Sequence, residues 1–360
     1  MNYNEFLLNL NFLNFENIQI ERLEKTLLSL EVSYEDFLDK YERYEDKISP
    51  GIIKMLKNYK YSIADKAYEY CEKKDIKIYF QDDPLYPKYL LNIDDSPKLI
   101  YVKGDIAKTW DVGVAIVGAR KHSDYGRVVV DSIVDYLSDY NVAIISGMAY
   151  GIDAVSHMRA IKNNIKTIGV LGNGVDVVYP LKNKDIYNKI LEYGAIVSEY
   201  HPGSKAMPYR FPLRNRIISG LSDIVIVAEA RKRSGSLITG RIAAEQGKEV
   251  FAVPGNINSI YSEGTNKLIA DGASILTEIN DLSIYLPSKN KSTSILDESN
   301  LGNDELKILR EIENGTEDIN LISINLKEDI ATVNSILTIL EMKDLVEISG
   351  QKVALKVKIL

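Results

Sequence analysis

Five short segments of the 360-residue chain carry residue types suited to gripping phosphate. Three are glycine-rich turns: Val117-Gly118-Ala119-Arg120, followed by Ser123 and Gly126; Ser146-Gly147-Met148-Ala149-Tyr150-Gly151-Ile152-Asp153; and Leu171-Gly172-Asn173-Gly174-Val175-Asp176, which runs into Tyr179-Pro180. Glycine lets a backbone approach a ligand closely, and the strand ends of an open parallel sheet present such turns outside the carboxyl edge. One such turn is ordinary turn chemistry; three on consecutive strands converge on a single edge. The fourth segment, Arg231-Lys232-Arg233-Ser234-Gly235-Ser236, lies between an apolar strand and a helical stretch. Ser234 can cap that helix, and its free N–H groups beside three cations make an anion site; an ordinary cap with surface charge is the plain alternative. The fifth, Phe211-Pro212-Leu213-Arg214-Asn215-Arg216-Ile217-Ile218-Ser219-Gly220-Leu221-Ser222, reads as a helix with Arg214, Ile217, Ile218 and Leu221 on one stripe. An arginine on an apolar stripe is costly unless it is paired or binds something. Arg214 therefore meets a carboxylate such as Glu199 or Glu229, or it binds ligand. Arg216, off the stripe, is expected to contact solvent or ligand.

Other chemistries lack their residues. Gly235 to Ile242 has Walker glycine spacing without the Lys and the Ser/Thr that hold phosphate and Mg²⁺. No G-x-G-x-x-G follows the first core strand, which argues against a nicotinamide dinucleotide. His122, His157 and His201 have no metal-ligand spacing, and Ser146 and Ser236 lack an evident His–acid partner. The expectation is therefore a binding protein with no cofactor and no metal.

Charge distribution points the same way. The net charge is −7, yet between His201 and Arg241 the chain carries Lys205, Arg210, Arg214, Arg216, Arg231, Lys232, Arg233 and Arg241 against only Asp223 and Glu229. A basic segment inside an acidic protein is the footprint of a polyanion site, with a solvated charged face as the alternative. The stretch beyond Ser292 is acidic, with Glu311, Glu313, Glu317, Asp318, Glu328 and Asp329 prominent. Cys71 stands alone, which rules out an intrachain disulfide framework and fits a reducing compartment. The N-terminus has no basic n-region of a signal peptide, and no apolar run reaches the roughly 18 residues of a membrane span. A cytoplasmic protein is expected.

The elements that must position these turns follow from periodicity. Residues 1–65 show short amphipathic helical patterns, such as Phe6, Leu7 and Leu10, or Ile52, Ile53 and Leu56 after Pro50-Gly51. A bridge carries the strand-like IKIYF (76–80) and LIYVKG (99–104). Six short β-branched runs then alternate with helical stretches: VGVAIVG (112–118), VAIIS (142–146), KTIGVLG (166–172), AIVSE (195–199), DIVIVAEA (223–230) and EVFAVPG (249–255). The expected class is α/β, a Rossmann-like doubly wound parallel sheet. A polar linker (287–300) leads to residues 301–360. There three helical stretches precede LVEIS and KVALKV, the order of a winged helix. The domains expected are thus 1–65 helical, 66–286 core, 287–300 linker and 301–360 winged helix.

Together the segments resemble the DprA/Smf (DNA-processing protein A) family. That family shows a VG-x-R turn, an SG-x-A-x-GID turn, a G-x-G-x-D-x-x-YP turn, an FP-x-RNRIISGLS helix, an EA-x-x-x-SGSLIT segment, an AVPG strand end and a GTN-x-LI-x-x-GA helix. Here they begin, in order, at Val117, Ser146, Gly172, Phe211, Glu229, Ala252 and Gly264. Tyr150 stands where the family often has Arg and offers a face on which a base could stack; Arg233 stands where Lys is usual, which keeps the charge.

The resemblance implies a homodimer that binds single-stranded DNA, protects it, and promotes RecA loading in natural transformation and recombination. It also implies a sterile-alpha-motif-like N-terminal unit. The DNA-binding set expected is Gly118, Arg120, Ser146, Gly147, Tyr150, Gly172, Phe211, Arg214, Asn215, Arg216, Arg233, Ser234, Gly235 and Ser236. Leu268 and Ile269, an apolar pair in a glycine-bounded helix, are the expected dimer contacts, with core packing as the alternative. The charges about the last long helix, Lys327, Glu328, Asp329, Glu341, Lys343 and Asp344, are mixed, which favours a spacer or protein-binding role there. Residue chemistry without the resemblance reaches only a polyanion-binding Rossmann-like domain. Its rival is a nucleotide-processing Rossmann enzyme such as a phosphoribohydrolase, for which Glu199 and Glu229 are the strand-end acids.

Overall fold

Runs of Val, Ile and Ala with no polar interruption become strands covered on both faces. The computed structural model describes residues 1–60, 63–107, 109–287, 301–313, 315–343 and 345–355. Five helices come first: α1 (Tyr3–Phe12), α2 (Asn17–Leu30), α3 (Tyr34–Lys40), α4 (Pro50–Leu56) and α5 (Ile63–Lys73). Two strands follow, β1 (Lys77–Phe80) and β2 (Leu99–Gly104). The alternating core then runs β3 (Val112–Gly118), α6 (Asp124–Leu137), β4 (Val142–Ser146), α7 (Ile152–Lys162), β5 (Lys166–Val170), α8 (Lys184–Tyr193) and β6 (Gly194–Ser198). It continues through α9 (Arg210–Gly220), β7 (Ile224–Glu229), α10 (Gly235–Glu245), β8 (Glu249–Ala252), α11 (Glu263–Ala270) and β9 (Ser274–Ile275).

These strands form one nine-stranded sheet in the order β1-β2-β6-β5-β4-β3-β7-β8-β9. The pairs from β6 to β9 are parallel, while β1–β2 and β2–β6 are antiparallel. The chain winds outward from β3 to β6 and then returns to place β7 against the other side of β3. That reversal opens a crevice at the carboxyl ends of β3 and β7. Period-two alternation covers the two faces: Val114 and Ile116 pack with Val130 and Val134 of α6, whereas Ala115 and Val117 pack with Ile217 and Ile218 of α9 and Leu237 of α10. This is the doubly wound α/β architecture expected.

The expected boundary at residue 65 does not coincide with a break in packing. Phe6, Leu10, Leu23, Phe37 and Leu56 of the N-terminal helices share one buried cluster with Met148, Leu171, Ile190 and Ile196 of the core, and Met1–Pro287 forms one compact unit. Leu268 corrects another expectation. It is buried under α10, in contact range of the position a Cβ on Gly240 would occupy, and belongs to the core beside Val227. Core packing, the alternative reading, accounts for it, and Ile269 is half-buried against the same cluster.

The second unit, Ser288–Leu360, is separate by contacts. It contains α12 (Asn303–Glu313), α13 (Ile319–Leu326) and α14 (Ile330–Met342), then the antiparallel pair β10 (Val346–Ser349) and β11 (Lys352–Leu355). Ile308, Leu309, Ile322, Val333, Leu337 and Leu340 make its core, the last three from the buried face of α14. The expected linker beyond Pro287 and the position of Asp344 lie outside the described residues. Among the described residues no helix is long and apolar enough to cross a membrane.

Candidate nucleic-acid interface

The glycine turns do converge. A cleft of about 580 Å³ opens where β3 and β7 end, with Gly118 to Lys121 on one wall and Arg231 and Arg233 to Ser236 on the other. Phe211, Arg214 and Asn215 of α9 line it, and Tyr179 reaches it from the turn after β5. A smaller adjoining pocket of about 40 Å³ is lined by Gly147, Tyr150, Gly172, Tyr179, Phe211 and Arg214.

Cations dominate the rim. Arg120, Lys121, Arg231 and Arg233 are exposed and line the cleft, and among the described residues none of the four has an ion-pair partner within 4.0 Å. Ser234 caps α10, accepting from the Ser236 N–H at 3.4 Å, and its hydroxyl also meets that of Ser236 at 2.7 Å. Gly235 beside it has open space where a side chain would stand. The helix therefore begins with an uncrowded backbone next to Arg231 and Arg233, the arrangement that attracts anions.

Aromatic faces supply the second feature. Phe211 and Tyr179 stack with ring centroids 5.6 Å apart and planes inclined by 22°, and the Arg120 guanidinium lies over the Phe211 ring at 5.7 Å. Gly172 makes room for this: a Cβ there would sit 3.1 Å from the Phe211 ring. Tyr150, 40% exposed, stands at the mouth of the smaller pocket.

Several residues expected to touch ligand also hold the framework together. The Arg214 guanidinium is buried and donates to the carbonyl of Gly147 at 2.7 Å and to that of Val170, tying α9 to the ends of β4 and β5. Its partners are neither Glu199 nor Glu229. Burial pushes its pKa down to about 10, against the opposing pull of the Asp153 carboxylate. Asp153 accepts from the N–H groups of Gly147 and Ala149 at 3.1 and 3.4 Å, and its burial raises its pKa. The Gly147 N–H is thus taken, and the space above its Cα is filled by Arg214, 2.5 Å from where a Cβ would be. An arginine lying on Gly147 is by itself reason enough for a glycine there. At Gly118 the corresponding space is filled by Ile152. The Ser146 hydroxyl is wholly buried and donates to the Ile116 carbonyl at 2.6 Å.

Arg216 is the clearest correction. It is buried, paired with Glu199 at two points and with Asp95 at 2.8 Å, and does not line the cleft. Those carboxylates hold its pKa above the ordinary arginine value despite burial. Asn215 lines the cleft, its amide reaching the Gly235 carbonyl at 3.4 Å.

The two strand-end acids are engaged as well. Glu199 holds Arg216, and Glu229 accepts from the Ser123 N–H at 2.9 Å and from the Ser123 hydroxyl. Among the described residues no group of three or more His, Cys, Asp or Glu is placed to hold a metal ion.

The DNA-binding set expected from the sequence omits Lys121, Arg231 and Tyr179, although Arg231 and Tyr179 stand in the fourth and third segments. Lys121 follows the end of β3 closely and could have been found by position. The stacking of Tyr179 on Phe211 could not, because it depends on how the long turn after β5 folds back onto α9.

A family model described as DNA recombination-mediator protein A matches residues 77–287. The DNA processing protein DprA of Streptococcus pneumoniae is 44% identical over 200 residues, covering 56% of this chain and 71% of that protein. The X-ray structure of DprA from that organism superposes with a TM-score of 0.66 at 32% identity, covering 80% of this chain and 99% of that one. A structure of DNA processing protein A from Helicobacter pylori, determined for its single-stranded DNA binding mode, gives 0.52 at 29% identity over 58% of this chain and 95% of that one.

Proposed function

This chain belongs to the DNA recombination-mediator protein A family, and from that premise we propose that it binds single-stranded DNA in the cleft between β3 and β7. The observation that carries this reading is the meeting, in one cleft, of four exposed cations with a stacked aromatic pair. Cations neutralise backbone phosphates and release counterions, while an aromatic face takes an unpaired base. A duplex keeps its base faces stacked inside, so the Phe211–Tyr179 pair favours the single strand. Arg120, Lys121, Arg231 and Arg233 contact phosphates along with the backbone at Gly235.

Through the bound strand the protein protects incoming DNA and promotes RecA loading in recombination and natural transformation, working in the cytoplasm as a homodimer without cofactor or metal. The dimer contact lies elsewhere than Leu268. The second unit is a winged helix by its element order. Its charges at Lys327, Glu328, Asp329, Glu341 and Lys343 suit a spacer or protein-binding module better than a DNA reader. The hydrolase reading finds both its acids, Glu199 and Glu229, occupied by internal partners.

The test is fluorescence anisotropy with single-stranded and duplex oligonucleotides of one sequence across a salt series, without ATP or Mg²⁺. Tighter binding to the single strand, weakening linearly in log–log salt, is the expected result. Equal affinity for both forms, or strict dependence on ATP or Mg²⁺, overturns it. Release of free base from nucleoside monophosphates, followed by chromatography, would support the hydrolase instead.

A further inference from the structure

Phe211 faces the cleft from the first turn of α9, and the residue before it, Arg210, faces the opposite way. Arg210 is 4% exposed. Its guanidinium lies 4.2 Å over the Tyr200 ring, Nη2 donates to Asn14 Oδ1 at 3.1 Å, and Nε stands 3.6 Å from Glu16 Oε1. Asn14, the hydrogen-bond acceptor, and Glu16, an ion-pair partner that leaves Nε without a hydrogen bond, both come from the corner between α1 and α2, nearly two hundred residues upstream. The same corner makes two more attachments to the region behind α9. Asn11 donates to the Glu199 carbonyl at 2.9 Å, and Asn17 donates to Asp95, which holds Arg216 through its other oxygen. Asn14 Oδ1 also lies 3.3 Å from His201 Nε2, in the loop that leads into α9.

Buried arginines are seldom placed where nothing depends on them, because removing the charge from water is costly without well-set partners. Here the partners fix the backbone of the residue adjoining the aromatic that the DNA reading uses. We infer that Asn14 and Glu16 are positioning residues for DNA binding: through Arg210 they hold the first turn of α9 so that Phe211 stays stacked against Tyr179. The inference rests on the proposed DNA-binding function of the cleft. It assigns the N-terminal helices a role in base stacking, distinct from the phosphate contacts made by the rim arginines.

The geometry supplies clean variants. Asn14 has a φ of 65°, so Asn14→Gly removes the acceptor without adding backbone strain, and Asn14→Asp restores it. Glu16→Gln removes the charge at nearly constant shape. Each is made in the full chain and titrated against a thymidine oligonucleotide and against an abasic strand of the same length, over a salt series. The expected result is a loss of about threefold to tenfold for the thymidine strand, in the lower part of the range shown by coupled neighbours, with unchanged abasic affinity, unchanged salt slope and recovery in Asn14→Asp. The loss should also vanish when Phe211 is already Ala. An equal loss on both strands, a loss that persists in the Phe211→Ala background, or no loss in any variant overturns the inference. Failure of the unsubstituted protein to bind either strand overturns the DNA reading itself, and the inference with it.

Discussion

Arg216 and Glu199 meet in a two-point ion pair, Nη1 to Oε1 at 3.1 Å and Nη2 to Oε2 at 2.7 Å, with both side chains about nine-tenths buried. The pair joins α9 to the loop after β6, and Asp95 closes the third side of the guanidinium. An arginine enclosed in this way serves the fold. Arg216→Ala leaves Glu199 buried and uncompensated, and the expected cost is about 3–5 kcal/mol of stability. Denaturant unfolding measures it. The folded fraction of the variant should bind single-stranded DNA with an unaltered salt slope, and a flattened slope would return Arg216 to the list of phosphate contacts.

Arg120 and Arg233 behave in the opposite manner. Both are exposed on the cleft rim, so replacing either by Ala should leave the denaturant midpoint almost unchanged. Each replacement should flatten the log–log salt dependence by about 0.7, the value of one phosphate on a single strand, equally for poly-dT and mixed sequence. Anisotropy across a salt series reads both quantities. A folded Arg233→Ala protein with unchanged affinity and slope would reduce Ser234 to Ser236 to plain helix capping.

Phe211→Ala separates stacking from charge. Loss of one stacked base costs about 1–3 kcal/mol with little change in salt slope. Tyr179→Ala should cost less, since Arg120 still covers the Phe211 ring. Equal affinity of Phe211→Ala and the unsubstituted protein at every salt concentration would remove the aromatic pair from the binding surface.

The contrast between these arginines marks what a sequence can convey. Apolar runs and turn residues placed β3 to β8 within a few residues, because a strand covered on both faces leaves a local signature in its own composition. The convergence of Gly118, Gly172 and the Arg231–Ser236 segment was legible for the same reason, since carboxyl ends of parallel strands share one edge. The burial of Arg216 was not. Its position off the apolar stripe of α9 describes one helix, whereas its partners Glu199 and Asp95 come from distant loops. Gly147 shows the same limit from the other side: an absent side chain is compatible with a ligand or with a neighbour, and here the neighbour is Arg214.

Leu268 follows the same logic. Buried beside Val227 under α10, it is a core residue of the first unit. Leu268→Ala should cost about 2–5 kcal/mol, and a charged replacement more. The expected outcome for Leu268→Glu is loss of folded protein by circular dichroism, not a folded monomer. A folded, monomeric Leu268→Glu protein by light scattering would restore the residue to a dimer contact.

His157 gives the fold a dependence on pH whose sign can be worked out. It is wholly buried on α7, with Nδ1 2.7 Å from the Thr167 hydroxyl. That hydroxyl donates to the Ile144 carbonyl at 2.9 Å, so it accepts the proton carried by Nδ1, and the ring is the neutral Nδ1–H form. Nε2 is buried without a hydrogen-bond partner. Burial first, and the Arg214 charge second, push the pKa down to about 3 from an ordinary 6.5. Between those values the unfolded chain binds a proton that the folded chain refuses, so stability rises with pH. The contribution is fully present above the unfolded value and is lost as pH falls towards 3. From pH 7.5 to pH 5 the loss from this residue is about 2 kcal/mol at 1.4 kcal/mol per unit. Asp153, whose pKa burial raises, contributes with the opposite sign in acid, so the measurement is a difference. Unfolding free energies of the unsubstituted protein and of His157→Gln are compared from pH 7.5 to 5. The variant should be less stable at pH 7.5, where it loses a packed imidazole, yet fall less steeply, and the two curves should converge by about one proton's slope. Parallel curves would mean that His157 takes up its proton in the folded state.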